Sequence, residues 1–270
     1  MDDVAKQLIK DTFDAVAEGY DGRALRFFPD SATHLAARLS LRGDEEVLDV
    51  ACGTGHASVA LARLLPRGRV TALDFSPAML AQARKKAGAA GLTNLEFVER
   101  DMQALGWQGR FDAAVCAFGI FFVEDMDAQL RRIAAAVKPG GRVMISNFRE
   151  DYMEPLRSLM VTRLDRFGVQ TPPQTWLRIA HLEACRALFE AAGLRDVQGE
   201  GRNFGYFLAG VNEWWDVIWN AGFRRMVGRL PPAQQASFKQ QHLAEIEALR
   251  TSEGIRMDVP VLFTSGIAPG

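Results

Sequence analysis

The chain has 270 residues, 48% hydrophobic and 24% charged, the range of a soluble globular protein large enough for one α/β domain with an appended cap. Its 32 basic residues balance 33 acidic ones, which removes the electrostatic reason to expect a nucleic-acid partner. Cys52, Cys116 and Cys185 lie far apart without a CxxC pair, so they read as reduced thiols of a cytoplasmic protein, with no disulfide frame and no metal site. No run of about 18 apolar residues exists to span a membrane, and Met1-Asp2-Asp3 opens without the apolar stretch of a secretory signal.

Taken in order, residues 3–17 place Val4, Leu8, Ile9, Phe13 and Val16 at helical spacing. Glu18-Gly19-Tyr20-Asp21-Gly22 breaks that pattern, and a second helix is expected over 31–41 with Ser31 as its cap and Gly43 as its stop. A first strand, 46–50, leads through a glycine turn into a helix at 56–65. A second strand, 69–73, precedes a helix at 77–90 that Ser76 caps, Pro77 starts and Gly91 ends. A third strand spans 95–99, and the fourth, Phe111–Ala117, is apolar enough to be covered on both faces. A helix at 126–137 and a fifth strand at 142–147 complete the regular alternation. Residues 148–178, with Pro155, Pro172 and Pro173 among aromatics, read as an insertion of short helices. A helix over 179–192, a sixth strand from Leu194–Gln198 that extends toward 207, helices over 211–228 and 232–250, and a last strand at Arg256–Thr264 follow. The alternation defines an α/β class with a Rossmann-like, doubly wound parallel sheet.

The stretch Val47-Leu48-Asp49-Val50-Ala51-Cys52-Gly53-Thr54-Gly55-His56 is a buried strand running into a ligand-cradling loop. Glycines suit it because the backbone turns sharply and a ligand must approach closely. Asp49, Asp74 and Asp101 each stand at or just after a strand end, so three carboxylates line one rim of the sheet, where open α/β folds bind ligands. Asp74 follows the glycines at the spacing that lets a carboxylate accept from ribose hydroxyls. Ser58 occupies the third glycine position of a dinucleotide fingerprint, Asp49 would repel a pyrophosphate, and no Gly-Lys-Ser/Thr is present. A nucleoside carrying a cationic amino acid fits an acidic rim better.

Five segments in order, Asp49-Val-Ala-Cys-Gly-Thr-Gly55, Ala72-Leu-Asp-Phe-Ser-Pro-Ala-Met-Leu80, Glu99-Arg-Asp-Met-Gln103, Phe111-Asp-Ala-Ala-Val115 and Val137-Lys-Pro-Gly-Gly141, resemble the motif set of class I S-adenosylmethionine-dependent methyltransferases. The likeness is to the small-molecule branch related to the ubiquinone/menaquinone-biosynthesis methyltransferases, and it covers residues 10–150 well. It implies one seven-stranded sheet of order 3-2-1-4-5-7-6 in a single domain over 1–270, with the last strand antiparallel. It also implies an N-terminal helical lid over 1–43 and helical caps at 148–178 and 208–250. The implied cofactor is S-adenosylmethionine, with S-adenosylhomocysteine as product, and the implied partner is a small organic acceptor methylated on O, N or C.

Carried over residue by residue, the resemblance places Asp49 near the methionine ammonium, Ala51, Gly53 and Gly55 in the loop, and Asp74 on the ribose diol. Phe75 and Met79 flank the adenine, while Asp101 and the Met102 backbone read it. Ala117 and Phe118 stand by the methionine chain, and Tyr20 lies near the sulfonium or the acceptor. No general base is assigned: His56 follows the glycine loop as a helix-start residue, and His34 and His242 sit on helical patterns with no partner. Phe122, Trp176, His181, Trp215 and Trp219 are candidates for the acceptor pocket, with Trp215, Trp219 and Phe223 spaced along one helix face. Arg224, Arg225 and Arg229 either bind an acidic acceptor or form a solvated face. The Asn/Asp-Pro-Pro-Tyr/Phe motif of amino-methylating DNA and protein enzymes is missing, since Ala117-Phe118-Gly119-Ile120 stands there. Two other classes share these features: a non-catalytic S-adenosylmethionine-binding regulator and a nicotinamide-dependent oxidoreductase.

Overall fold

The computed structural model describes residues 3–171 and 174–269; Met1, Asp2, Pro172, Pro173 and Gly270 lie outside the described residues. The chain begins with α1 (Asp3–Val16) and α2 (Phe27–Arg38). Four strands follow, β1 (Glu46–Val50), β2 (Arg69–Asp74), β3 (Leu95–Glu99) and β4 (Phe111–Ala117). They alternate with α3 (His56–Arg63) and α4 (Pro77–Ala89), and α5 (Met126–Ala136) leads to β5 (Val137–Phe148). Beyond it come α6 (Leu156–Arg166), α7 (Leu182–Ala191), β6 (Arg195–Asn203), β7 (Tyr206–Leu208), α8 (Val211–Trp219), α9 (Arg224–Val227), α10 (Pro232–Glu247), β8 (Ile255–Met257) and β9 (Pro260–Ile267).

The main sheet has seven strands in the order β3-β2-β1-β4-β5-β9-β6. Counting only its own strands, this is the expected 3-2-1-4-5-7-6. β1 to β5 pair in parallel, and β9 slots antiparallel between β5 and β6. Val47, Leu48 and Val50 are fully buried because helices cover both faces of the sheet. Helix starts follow the local sequence: the Ser76 hydroxyl accepts from the Met79 N–H at 3.0 Å with Pro77 in the first turn, and Asp125 accepts from Ala128 N–H at 2.8 Å.

Four boundaries differ from the sequence reading, each for a local reason. α2 starts at Phe27, four residues early, so Ser31 is no cap; its hydroxyl bonds back to the Phe28 carbonyl at 3.0 Å. β5 takes in the Lys138-Pro-Gly-Gly141 turn, because Val137 still pairs with Phe111 before the register shifts. The strand expected at Arg256–Thr264 is two strands, for β8 pairs with β7 in a separate hairpin and β9 enters the main sheet. Asn203 holds the corner between them, donating to the Asp258 carboxylate at 2.7 Å and accepting from Val259 N–H at 2.9 Å. The helix expected over 211–228 breaks between Trp219 and Arg224.

α8 and α10 meet around a buried pair. The Trp214 indole N–H donates to His242 Nε2 at 2.8 Å, and His242 Nδ1 stands 3.6 Å from Glu245, which also takes Arg163. Burial lowers the His242 pKa to about 4. Because the folded value lies below the unfolded one of about 6.5, the unfolded chain binds the extra proton, and stability is lost as pH falls through that window. The loss expected between pH 7 and pH 5 is about 2 kcal/mol. Chemical denaturation at both pH values, in the wild type and in His242→Gln, checks it: the variant should lack this component, and an equal loss in both would assign the acid sensitivity elsewhere.

Candidate functional site

β1 ends in the turn Ala51–Gly55, where Ala51, Gly53 and Gly55 take φ of 57°, 54° and 82°. A Cβ on Gly55 would sit 3.0 Å from the Ala83 Cβ, so this glycine lets α3 approach α4, and it does not line the cleft. Gly53 is different: no atom lies within 4 Å of where its Cβ would be, and it faces the cleft. A side chain there would fill the space left for a ligand. Of the twelve residues expected to hold a cofactor, Gly55 alone is outside the lining. Tyr20, Asp49, Ala51, Gly53, Asp74, Phe75, Met79, Asp101, Met102, Ala117 and Phe118 all border one cleft of about 1020 Å3, counted with its open mouth.

Three carboxylates give this cleft its electrostatics. Asp49 is fully buried. Its Oδ2 accepts from the Ser58 hydroxyl at 2.5 Å, and its Oδ1 has no partner. Burial, reinforced by the charge of Asp74, raises the Asp49 pKa to about 7. Asp74 is better satisfied: Oδ2 accepts from Gly53 N–H at 2.8 Å and Oδ1 from Ser76 N–H at 2.9 Å. Burial nonetheless pushes its pKa up. Asp101 accepts from Gln103 N–H and from Lys6 Nζ, both at 2.8 Å. A cation presented to Asp49 Oδ1 would supply the missing partner and remove the desolvation penalty of that carboxylate.

The N-terminal segment is fastened across this cleft by its own carboxylates. Asp14 accepts from the Ser76 hydroxyl at 2.5 Å and from Lys10 at 2.7 Å. Asp21 gathers the Thr54 hydroxyl at 2.6 Å, His56 Nε2 at 2.9 Å and Lys86 Nζ at 3.0 Å. Burial works against the Asp21 charge, but His56, Thr54 and Lys86 together hold its carboxyl well below the usual range. His56 is thus part of a clasp. The sequence offered no sign of Asp21 beyond a turn, since its partners come from the glycine loop, α3 and α4.

A second cavity, about 1720 Å3 with its mouth, adjoins the first. Tyr20, Phe28, Phe118 and Phe122 border both. Trp176 lines it, with its indole N–H on Gln174 at 2.7 Å, as does Phe122. Trp215 and Trp219 are outside it. They stack on each other 5.6 Å apart, under Lys239 and Arg224, while Val217 of the same helix faces the cavity. The break after α8 turns Phe223 off their stripe and into the cavity, where it lies parallel to Tyr152. His181 is also outside, paired with Glu150 at 3.1 Å in front of α7. Phe148 and Tyr152, which sequence periodicity did not single out, form the cavity wall. Among the described residues no group of three or more His, Cys, Asp or Glu could hold a metal ion, and no helix is long and apolar enough to cross a membrane.

Residues 47–141 match the family model described as a methyltransferase domain. A demethylmenaquinone methyltransferase of Bacillus cytotoxicus is 27% identical over 221 residues, 74% of this chain and 92% of that protein. One from Thermus thermophilus is 37% identical over 141 residues, 50% of this chain and 64% of that protein. Among solved structures, the YcgJ protein from Bacillus subtilis superposes with a TM-score of 0.61 at 20% identity, covering 89% of this chain and 99% of that one. A phosphoethanolamine N-methyltransferase of Haemonchus contortus, solved with phosphomonomethylethanolamine and S-adenosylhomocysteine, gives 0.55 at 16% identity, over 89% of this chain and 53% of that one. These likenesses to solved structures show a Rossmann-like fold. Residues 47–141 form a methyltransferase domain, and the chain is similar to curated methyltransferases over most of its length.

Removing the clasp should loosen the N-terminal segment. Asp21→Ala leaves Lys86 and His56 unpaired in a half-buried place and is expected to cost about 1–3 kcal/mol. Limited trypsin cleavage at Arg23 and Arg26 should accelerate, with a lower Tm. Unchanged cleavage would mean that the segment is held by its apolar face alone.

Proposed function

We propose that the chain transfers a methyl group from S-adenosylmethionine to a small, largely apolar acceptor in the aromatic cavity. The observation that carries this reading is the orphaned Asp49 Oδ1, buried at the end of β1 in a cleft that opens onto a second, aromatic cavity. The donor set fits the cofactor: an unpartnered carboxylate for the ammonium, a fixed one for the ribose diol, and a glycine whose missing side chain leaves room. S-adenosylmethionine would supply an electrophilic methyl carbon on a sulfonium.

The chain's own groups divide the work. Asp49 would receive the ammonium. Asp74, both oxygens already aimed by Gly53 and Ser76, would accept from the ribose hydroxyls with its remaining lone pairs. Phe75 and Met79 would flank the adenine, with Asp101 and the Met102 backbone at its edge. Ala51 and Gly53 would shape the loop against the amino-acid portion, and Ala117 would stand beside it. Tyr20 and Phe118, which border both cavities, would keep the crossing point dry and aligned. Residues 1–43 would act as the lid, and 148–178 and 208–250 as the cap.

Acid–base help is sparse. Burial pushes the Tyr20 and Tyr152 hydroxyls well above the ordinary tyrosine value, so both are neutral donors near pH 7. They would orient an acceptor and would not deprotonate it. The reading therefore favours an acceptor that is nucleophilic without enzyme assistance, its proton leaving to solvent. The quinone-type acceptor named in the curated relatives is a flat, apolar molecule of fitting shape. We also propose a cytoplasmic location, supported by the three free, buried cysteines.

Calorimetric titration with S-adenosylmethionine, S-adenosylhomocysteine and NAD tests the cofactor. The first two should bind, and Asp74→Ala should weaken them by about 1–3 kcal/mol; binding of NAD alone would overturn the reading. Asp49 adds a pH signature. A cation binds its deprotonated form, which predominates only above about 7. S-adenosylhomocysteine affinity should rise from pH 5.5 to pH 7 and level off above it, and Asp49→Asn should flatten the profile. A flat wild-type profile would remove Asp49 from the ammonium site.

A further inference from the structure

The aromatic cavity has a direction. Phe118, at the junction with the cofactor cleft, stacks on Phe148 at 4.6 Å and 28°. Phe148 stacks on Tyr152 at 4.3 Å and 16°, and Tyr152 lies parallel to Phe223 at 6.2 Å and 16°. Four nearly parallel rings thus run from the junction toward α9. Arg225, two residues beyond Phe223, which ends this run of rings, also lines the cavity.

Arg225 differs from the arginines around it. Arg224 donates to the Ala15 carbonyl at 2.8 Å and covers the Trp219 ring, and Arg229 donates to the Gln170 carbonyl at 3.1 Å. Arg178, a second guanidinium of the cavity lining, donates to the Glu124 carbonyl at 2.6 Å. Among the described residues the Arg225 guanidinium has no hydrogen bond, ion pair or ring contact; only its backbone N–H is engaged, on the Gly222 carbonyl at 3.3 Å. Although it is exposed at the rim, the protein packed around it and the like charge of Arg229 push its pKa down. The lining holds two guanidiniums, Arg178 and Arg225, against one carboxylate, Glu124. A cation kept beside a like charge, at the edge of an apolar cavity and without a counter-charge, is complementary to an anion.

We infer that the acceptor is a flat aromatic acid whose ring lies along the Phe118–Phe148–Tyr152–Phe223 wall and whose anionic group is held by Arg225. The inference rests on the methyltransferase reading and adds to it the acceptor's charge and orientation. The anion sits at the end remote from the junction, so the atom to be methylated is on the opposite end of the molecule. Arg225 is accordingly a specificity residue, placed away from the reacting atoms.

The test uses full-length protein saturated with S-adenosylhomocysteine, and the probes are 2-naphthoate and its uncharged amide, 2-naphthamide. Calorimetry should show naphthoate binding at least about tenfold tighter than naphthamide, an advantage reduced by salt as expected for one charge-assisted pair. Arg225→Gln should bind both probes about equally, while Arg224→Gln, altered on the outer face, should keep the wild-type preference. Equal binding of the two probes by the wild type, survival of the preference in Arg225→Gln, or no binding of either would each overturn the inference. S-adenosylhomocysteine binding is read first in the same experiment. Its failure overturns the methyltransferase reading and this inference together; its success with no naphthoate preference overturns this inference alone.

Discussion

A carboxyl buried with one oxygen unpartnered is the constraint from which the rest of this molecule follows. Asp49 is carried into the interior because β1 is central and covered on both faces, and Ser58 satisfies only one of its oxygens. An isolated carboxylate in such a place is costly, by several kcal/mol or more. Asp74, next to it on β2, adds a like charge that raises the cost. The chain answers in two ways. It fixes Asp74 with two backbone N–H groups, which confines the problem to Asp49, and it keeps a cleft in front of Asp49 where a cation can lie. On the proposed reading, stability forgone at this point would be recovered when a cation binds.

The cover over the cleft is fastened by polar contacts at places that the sheet positions well. Asp14 reaches the hydroxyl that caps α4, and Asp21 reaches the loop and α4 together. Lys6 spans to Asp101 at 2.8 Å. These contacts are partly exposed, and each is individually weak and screened by salt. Between them, Ile9, Phe13 and Tyr20 present apolar surface to both cavities. The same short segment therefore borders both cavities, and on the proposed reading its ordering against one ligand would lower the ordering cost left for the other.

How much of this was legible in the sequence depends on whether a feature is local. The strands, the glycine turn and the cap at Ser76 are determined within a few residues, and the first five strands run as read apart from an early start to the fifth. The cleft residues on strand ends were legible for the same reason, because an open parallel sheet fixes where strand ends gather. Gly55 shows the limit of that reasoning: its glycine is required by Ala83, a neighbour in space, and not by a ligand. The cap was read less well. Trp215, Trp219 and Phe223 share a face only if one helix carries them, and the chain breaks between Trp219 and Arg224. Phe148 closes β5 just past the strand as read, and Tyr152 lies in the turn beyond it, so no period marks the aromatic wall. Asp21 draws on partners from three elements, so its role appears only in three dimensions.

The break after α8 meets the turn before α2 at one spot. A Cβ on Gly19 would fall 2.1 Å from the Asn220 side chain, so the two turns are seated on each other with no room to spare. The first turn of the chain and the break in its last third are therefore built to one another's shape: a side chain added at position 19 has to be matched by a smaller or turned one at position 220. On the proposed reading, these two ends would frame the acceptor while the glycine loop and strand ends between them would hold the nucleoside, so reshaping the acceptor site at one end would call for a compensating change at the other.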